Sequence, residues 1–334
     1  MRNPILIELT RGALVESVHA GALAVVRTDG GVLAALGDVA APVFPRSAIK
    51  PLQALPFVES GAPERFGFGT AEIALASASH SGTPSHTALV STMLKRAGLT
   101  PAALACGVHE PMDPATARDL IRRGATPTAL HHNCSGKHAG MLITAVHRNE
   151  PTQGYWRTDH PVQARVRAAL ENLGGVQLTP EACGIDGCSV PNWAMPLTAL
   201  ARAFARLATG EGLSDTRAAA CRRIAEACTK HPDLVAGPGR LNTLLLARLP
   251  GRLLLKSGAE GVYCGALPDR GLGFAIKIDD GAARAVEAVV VHLVARFHPQ
   301  VAGLGPPFRL TNWRGLEVGR MRASPALEAI LERL

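Results

Sequence analysis

Aromatic residues are scarce in this sequence, at 4% of its 334 positions, so base stacking is a poor account of its function. The formal charge of +8 would suit a nucleic-acid binder. The basic residues are scattered, however, with Arg122-Arg123 and Arg222-Arg223 as the densest pairs, and a solvated surface accounts for them. No apolar run approaches the ~20 residues that cross a bilayer. Neither nucleic acid nor membrane is an expected partner. Cysteine is thin as well, with seven in all (106, 134, 183, 188, 221, 228 and 264). An odd, dispersed set in a chain too large to need staples points to reduced thiols and a cytoplasmic setting. The opening residues, Met1-Arg2-Asn3-Pro4, meet arginine early and Glu8 soon after, unlike a signal peptide.

Lysine is the most informative shortage. Of 35 basic residues only six are lysines, at positions 50, 95, 137, 230, 256 and 277. Where a charge merely needs solvation, this chain uses arginine. Lys50, Lys137 and Lys256 nevertheless lie beside serines and glycines in motif-like settings. Arginine cannot give up its proton in a protein, whereas lysine can. These positions therefore read as places that need a removable proton or an amine lone pair.

With 47% hydrophobic and 19% charged residues the chain has the composition of a globular enzyme. Its opening pattern is of strands, with Asp29-Gly30-Gly31 turning a hairpin between Ala22–Val26 and Val32–Leu36. Helical patterns follow near 48–60, 70–78, 84–97, 114–123, 135–146, 159–173, 196–208 and 214–229. Strands return at 252–256, 261–266 and 273–278, then an Ala/Val-rich helix to about Phe297. Two short strands near 307–322 and a helix capped by Ser324-Pro325 finish the chain. There is no internal repeat and no low-complexity linker. The expected fold is α/β, a mixed sheet built from both chain ends (4–40 and 252–322) with a mainly helical region (47–230) between. Residues 1–334 are expected to form a single catalytic unit, with a site at the seam.

Ser47 and Lys50 stand three apart, on one face of a helix whose first turn tolerates Pro51. A serine hydroxyl needs a base to become a nucleophile, and a lysine serves only if its pKa is depressed. Lys256-Ser257-Gly258 follows the apolar run Leu253–Leu255, at the end of an expected strand. Ser79-His80-Ser81-Gly82 supplies a second hydroxyl near a helix start, or else is only a helix-to-helix turn. His131 to His138 is a dense polar stretch at another helix start, and Gly184 to Ser189 is a rigid turn with an acid and a thiol. Cys134 and Cys188 with a nitrogen donor would suit Zn²⁺, although each also reads as a buried thiol. Arg46, Asp186 and Glu260 have the charges to hold a small zwitterion.

Ser-x-x-Lys paired with a late Lys-[Ser/Thr]-Gly strand is the pattern of serine β-lactamases and penicillin-binding proteins, though their Ser-Asp-Asn element is absent here. The full set is Arg46-Ser47-x-x-Lys50-Pro51, Ala78-Ser79-His80, His132 to His138, Gly184-x-Asp186-Gly187-Cys188 and Lys256-x-Gly258-Ala259-Glu260-Gly261. In that order it resembles the Rhizobium etli-type (thermolabile, class 3) L-asparaginases, from about residue 5 to 320. The resemblance implies a serine β-lactamase- and glutaminase-like fold, a homodimer, and hydrolysis of L-asparagine to L-aspartate and ammonia. It implies two serine–lysine tandems, Ser47–Lys50 and Ser79–Lys256. It also implies a Zn²⁺, not necessarily essential, on Cys134, Lys137 and Cys188, with substrate contacts at Arg46 and Asp186. His132 and Asn133, in the adjoining polar stretch, are further candidates for substrate contact. A glutaminase, a β-lactamase-like enzyme and a zinc-dependent amidohydrolase are the alternatives.

Overall fold

The computed structural model describes residues 2–334. In chain order the strands are β1 (Ile5–Arg11), β2 (Leu14–Arg27), β3 (Val32–Leu36), β4 (Pro42–Val43), β5 (Cys183–Ile185) and β6 (Pro191–Trp193). They continue with β7 (Met195–Pro196), β8 (Leu254–Ser257), β9 (Val262–Leu267), β10 (Leu272–Ile278), β11 (Arg309–Thr311) and β12 (Glu317–Ala323). Eight strands form one sheet in the order β11-β12-β1-β2-β10-β9-β8, with β3 also paired to β2. The sheet thus draws on both chain ends, and the helical segments lie between them in sequence. Every pairing is antiparallel, where a mixed sheet was expected.

The central strands are buried on both faces, and their alternation assigns residues to sides. Leu23, Val25, Phe274 and Ile276 join a core closed by the helix Ala283–Phe297. Ala22, Ala24, Cys264 and Ala275 face the other core, which holds most of the helical region. Small residues on that second face let a helix sit close. A Cβ on Gly273 would lie 1.9 Å from the Ala201 carbonyl of the helix Leu197–Thr209. Leu254 and Cys264 belong to the helical-side core, and Lys256 pairs with Cys264. Period-two alternation therefore sends the Lys256 side chain into the helical region, and a one-residue slip would turn it away.

The helical region differs from the sequence expectation in detail. The span expected as one helix near 48–60 is a 3₁₀ turn, Arg46–Ile49, followed by the helices Lys50–Gln53 and Leu55–Glu59. Pro51 and Pro56 each lack the N–H that would continue the ladder. Two short helices, Pro232–Val235 and Leu241–Arg248, and the ribbons β4–β7 and β5–β6 carry no clear period in sequence. The helix Ser135–His147 is buried around its whole circumference from Ser135 to Ala145, the mark of a central element. Gly136 permits this, since a Cβ there would lie 2.2 Å from the Leu75 carbonyl. Among the described residues no helix is long and apolar enough to cross a membrane.

Candidate active site

Three segments distant in sequence meet where β8 approaches the helical region. The first is the turn Arg46–Ile49, which ends at Lys50. Gly258, just after β8, lies against it so closely that a Cβ would be 2.6 Å from the Pro45 carbonyl and 3.1 Å from the Ala48 nitrogen. The second is the extended segment 77–83 between the helices Thr70–Ala76 and Pro84–Arg96. The third is the end of β8 itself.

Ser79 is the point of convergence. Its hydroxyl lies 2.9 Å from Lys50 Nζ and 2.9 Å from Lys256 Nζ. Lys50 also donates to the Asn133 carbonyl at 3.2 Å, and Lys256 to that of Ser257 at 2.8 Å. Both lysines are 0% exposed. Burial is the chief cause that pulls each below the ordinary lysine pKa, Lys256 furthest, with Lys50 its nearest like charge. A neutral amine accepts a proton from a hydroxyl, so the cluster can hold Ser79 polarised from two sides. The expected couple Ser47–Lys50 takes a different form. Among the described residues no hydrogen bond joins their side chains, and Lys50 turns to Ser79. Ser47 is half-buried in the 3₁₀ turn.

The two serines also differ in their amides. The Ser79 N–H donates to the Val235 carbonyl at 2.9 Å. The Ser47 N–H stands in a first turn, where amides have no carbonyl one turn back. Next to it, Arg46 takes a left-handed backbone (φ 51°), and its amide donates to Asn192 Oδ1 at 3.3 Å. The Arg46 guanidinium bonds Asp186 Oδ1 at 2.7 Å. Arg46 and Asp186 therefore face each other first, rather than standing apart as two free substrate contacts. Burial would raise the Asp186 carboxyl, but Lys137 and Arg46 outweigh it and hold it below the usual range.

Cys134, Lys137 and Cys188 form a buried group beside Asp186. Lys137 Nζ lies 3.0 Å from Cys188 Sγ, and Asp186 Oδ2 is 3.7 Å from the same sulfur. A hydrogen bond from Cys188 is the main cause that holds the Cys134 thiol low, and the same bond keeps Cys188 high. Burial lowers Lys137, yet the neighbouring thiols, Cys188 foremost, keep it above its ordinary value, as their counter-ion. Among the described residues no three His, Cys, Asp or Glu side chains gather as a metal-binding group. The expected Zn²⁺ set therefore depends on lysine as its third donor, and a metal group of the usual residues gives it no support. Two sulfurs and an amine nonetheless suit a soft divalent ion. His138 Nε2, on the same helix as Lys137, is a buried nitrogen without a hydrogen-bond partner.

His132 and Asn133 have largely structural partners. His132 Nδ1 accepts from the Cys134 amide at 3.0 Å, and its ring packs on His109. Burial first, then His109 and Lys50, bring His132 down to about 4, so it is neutral at physiological pH. The Asn133 carbonyl accepts from Lys50 and from the His80 amide, which ties the Ser135 helix to the Ser79 segment. Sequence reasoning passed over Asn192, which steadies Arg46, and Val235, which holds Ser79. Neither lies in a motif, because each acts through one oxygen. Beside the site opens a cavity of about 520 Å³, lined by Arg46, Asn192, Glu260, Lys277, Phe44 and Ile185 among others.

Residues 7–323 match the family profile described as L-asparaginase II. A β-lactamase structure from Mycobacterium bovis is 15% identical, covering 80% of this chain and 89% of that one, at a TM-score of 0.40. Mglu in its glutamate form is 13% identical, covering 86% of this chain and 63% of that one, at 0.45. Mglu in its native form is 16% identical, covering 80% and 61%, at 0.43. The chain thus spans less than two thirds of Mglu. No curated protein matches the sequence.

Proposed function

Because the chain belongs to the L-asparaginase II family, and so is an amidohydrolase of the asparaginase type, we propose that it hydrolyses L-asparagine to L-aspartate and ammonia through a serine acyl-enzyme. The observation that carries this reading is the buried cluster of two lysine amines on one serine hydroxyl. Ser47 Oγ attacks the side-chain amide carbon, and its proton passes to Lys50. The Ser47 amide, in the helix's first turn, faces the developing oxyanion. Ser79 links Lys50 to Lys256 and carries a proton to the departing ammonia. Water then attacks the ester by the same route, releasing aspartate and restoring Ser47. Arg46 and Asp186 border the substrate, with His132 and Asn133 supporting the wall behind Lys50.

A second reading has its own support. Both amines bond Ser79 rather than Ser47, which makes Ser79 the better polarised hydroxyl and a candidate nucleophile. A diazoketone analogue of asparagine separates the two. Peptide mapping is expected to find the adduct on Ser47, and an adduct on Ser79 would exchange the roles. Ammonia release from asparagine and glutamine, measured side by side, decides the substrate. Asparagine is expected to be faster, and a faster glutamine reaction would favour the glutaminase alternative.

Zinc belongs to this reading as a bound ion on Cys134, Lys137 and Cys188, where it would supply positive charge near Asp186. Lysine binds a metal only without its proton, so occupancy would rise with pH. A homodimer belongs to it too. Leu14, Val15, Trp313 and Leu316 are exposed apolar residues on the strands and turns toward one edge of the sheet. Light scattering tests the association.

A further inference from the structure

Among the residues that line the 520 Å³ cavity, beside the apolar Phe44 and Ile185, are charges that the chemistry above leaves unused. Glu260 is one of four non-glycine residues with a left-handed backbone, at φ 58°. A side chain is disfavoured in that region, so a neighbour must hold it there. Lys277 does so. Its ammonium donates to the Glu260 carbonyl at 2.6 Å and to the Ile278 carbonyl at 2.7 Å. Glycine would adopt this conformation freely, yet a glutamate stands here. Its carboxylate has no ion pair or hydrogen bond among the described residues, and Oε2 rests beside Gly281. Arg46, whose Nε is engaged by Asp186, lines the same cavity.

We propose that Glu260, clamped by Lys277, is the anionic subsite for the α-ammonium of the substrate, so that this cavity selects amides of free α-amino acids. The proposal rests on the reading of the site as an amidohydrolase centre. The α-carboxylate falls to the unpaired nitrogens of Arg46, and the two charges of one zwitterion are read by two separated groups. A lone carboxylate or amide lacks one of them. Lys277 is a positioning residue here, acting through the Glu260 backbone.

Binding and turnover test this separately. L-Aspartate and succinate differ only in the ammonium, and so do L-asparagine and succinamate. Calorimetry is expected to show wild type binding aspartate about two- to fivefold more tightly than succinate, the range of an exposed charge pair. Glu260→Gln should remove that preference, raising the KM for asparagine by the same factor with kcat little changed and succinamate unaffected. Glu260→Gly, which relaxes the backbone while deleting the carboxylate, should behave the same with no loss of Tm. Equal binding of aspartate and succinate by wild type, or no binding of either, overturns the proposal. So does a Glu260→Gln variant that keeps the preference or weakens both ligands alike. Absence of ammonia release in wild type that still prefers aspartate would instead strike the amidohydrolase reading and leave the subsite standing.

Discussion

Lys256 Nζ lies 2.9 Å from Ser79 Oγ, although 177 residues separate them in sequence. Strand alternation aims the lysine, and the Val235 carbonyl fixes the serine backbone. With Lys50 on the other side, the hydroxyl belongs to a three-member network rather than to either lysine alone. Removing one member should therefore disable the others. Ser47→Ala is expected to lose about a thousandfold or more in kcat, as for a residue of a nucleophilic set. Ser79→Ala should lose about 10²–10⁴-fold, the range of positioned proton transfer. Steady-state ammonia release checks both, and near-wild-type turnover in either variant would refute its role.

The acid limb of the activity profile should belong to the lysines. Burial depresses Lys50 and Lys256, and activity needs at least one of them neutral. Activity is thus expected to rise with pH through these lowered values, well before the ordinary lysine range near ~10.4. A kcat/KM profile tests this. The double variant Lys50→Arg/Lys256→Arg, which keeps both charges and can lose neither proton, should be inactive at every pH.

The same burial has a cost in stability, with a definite sign. A lysine lowered in the folded state binds fewer protons there than in the unfolded chain. Stability should therefore rise with pH from the folded value up to about 10.4 and then level off. Lys256→Met removes this penalty and should raise Tm at neutral pH while abolishing activity, a trade of function for stability. Thermal unfolding across pH provides the measurement, and a lower Tm in the variant would contradict it.

Gly258 couples β8 to the Ser47 turn through a contact that leaves no room for a methyl group. Gly258→Ala should shift that turn, costing about 1–3 kcal/mol as overpacking does and reducing kcat more than it raises KM. Unfolding curves and kinetics on the same preparation test it. Unaltered kcat would show that the turn is not held by this contact.

Zinc on Cys134, Lys137 and Cys188 should appear in metal analysis of the purified protein and raise Tm when added. Chelation should lower Tm without ending ammonia release. Cys188→Ser should lose both the metal and the Tm response. A metal-free protein with no response to zinc would mean that Lys137 alone serves as the counter-ion of the thiols.

The order of strands and helices was legible from local pattern. Short apolar runs mark β2, β8, β9 and β10, and turn and cap residues bound the helices. The shortage of lysine singled out Lys50, Lys137 and Lys256, because a proton that must leave is a property of residue type. Tertiary structure alone decided the partners. Lys50 meets Ser79 instead of Ser47, Arg46 is engaged by Asp186, and the all-antiparallel pairing emerges only when both ends of the chain meet. These outcomes depend on side-chain direction within a packed interior and on single carbonyls such as that of Val235. Spacing along a sequence carries no record of them, since they arise between segments that touch only after folding.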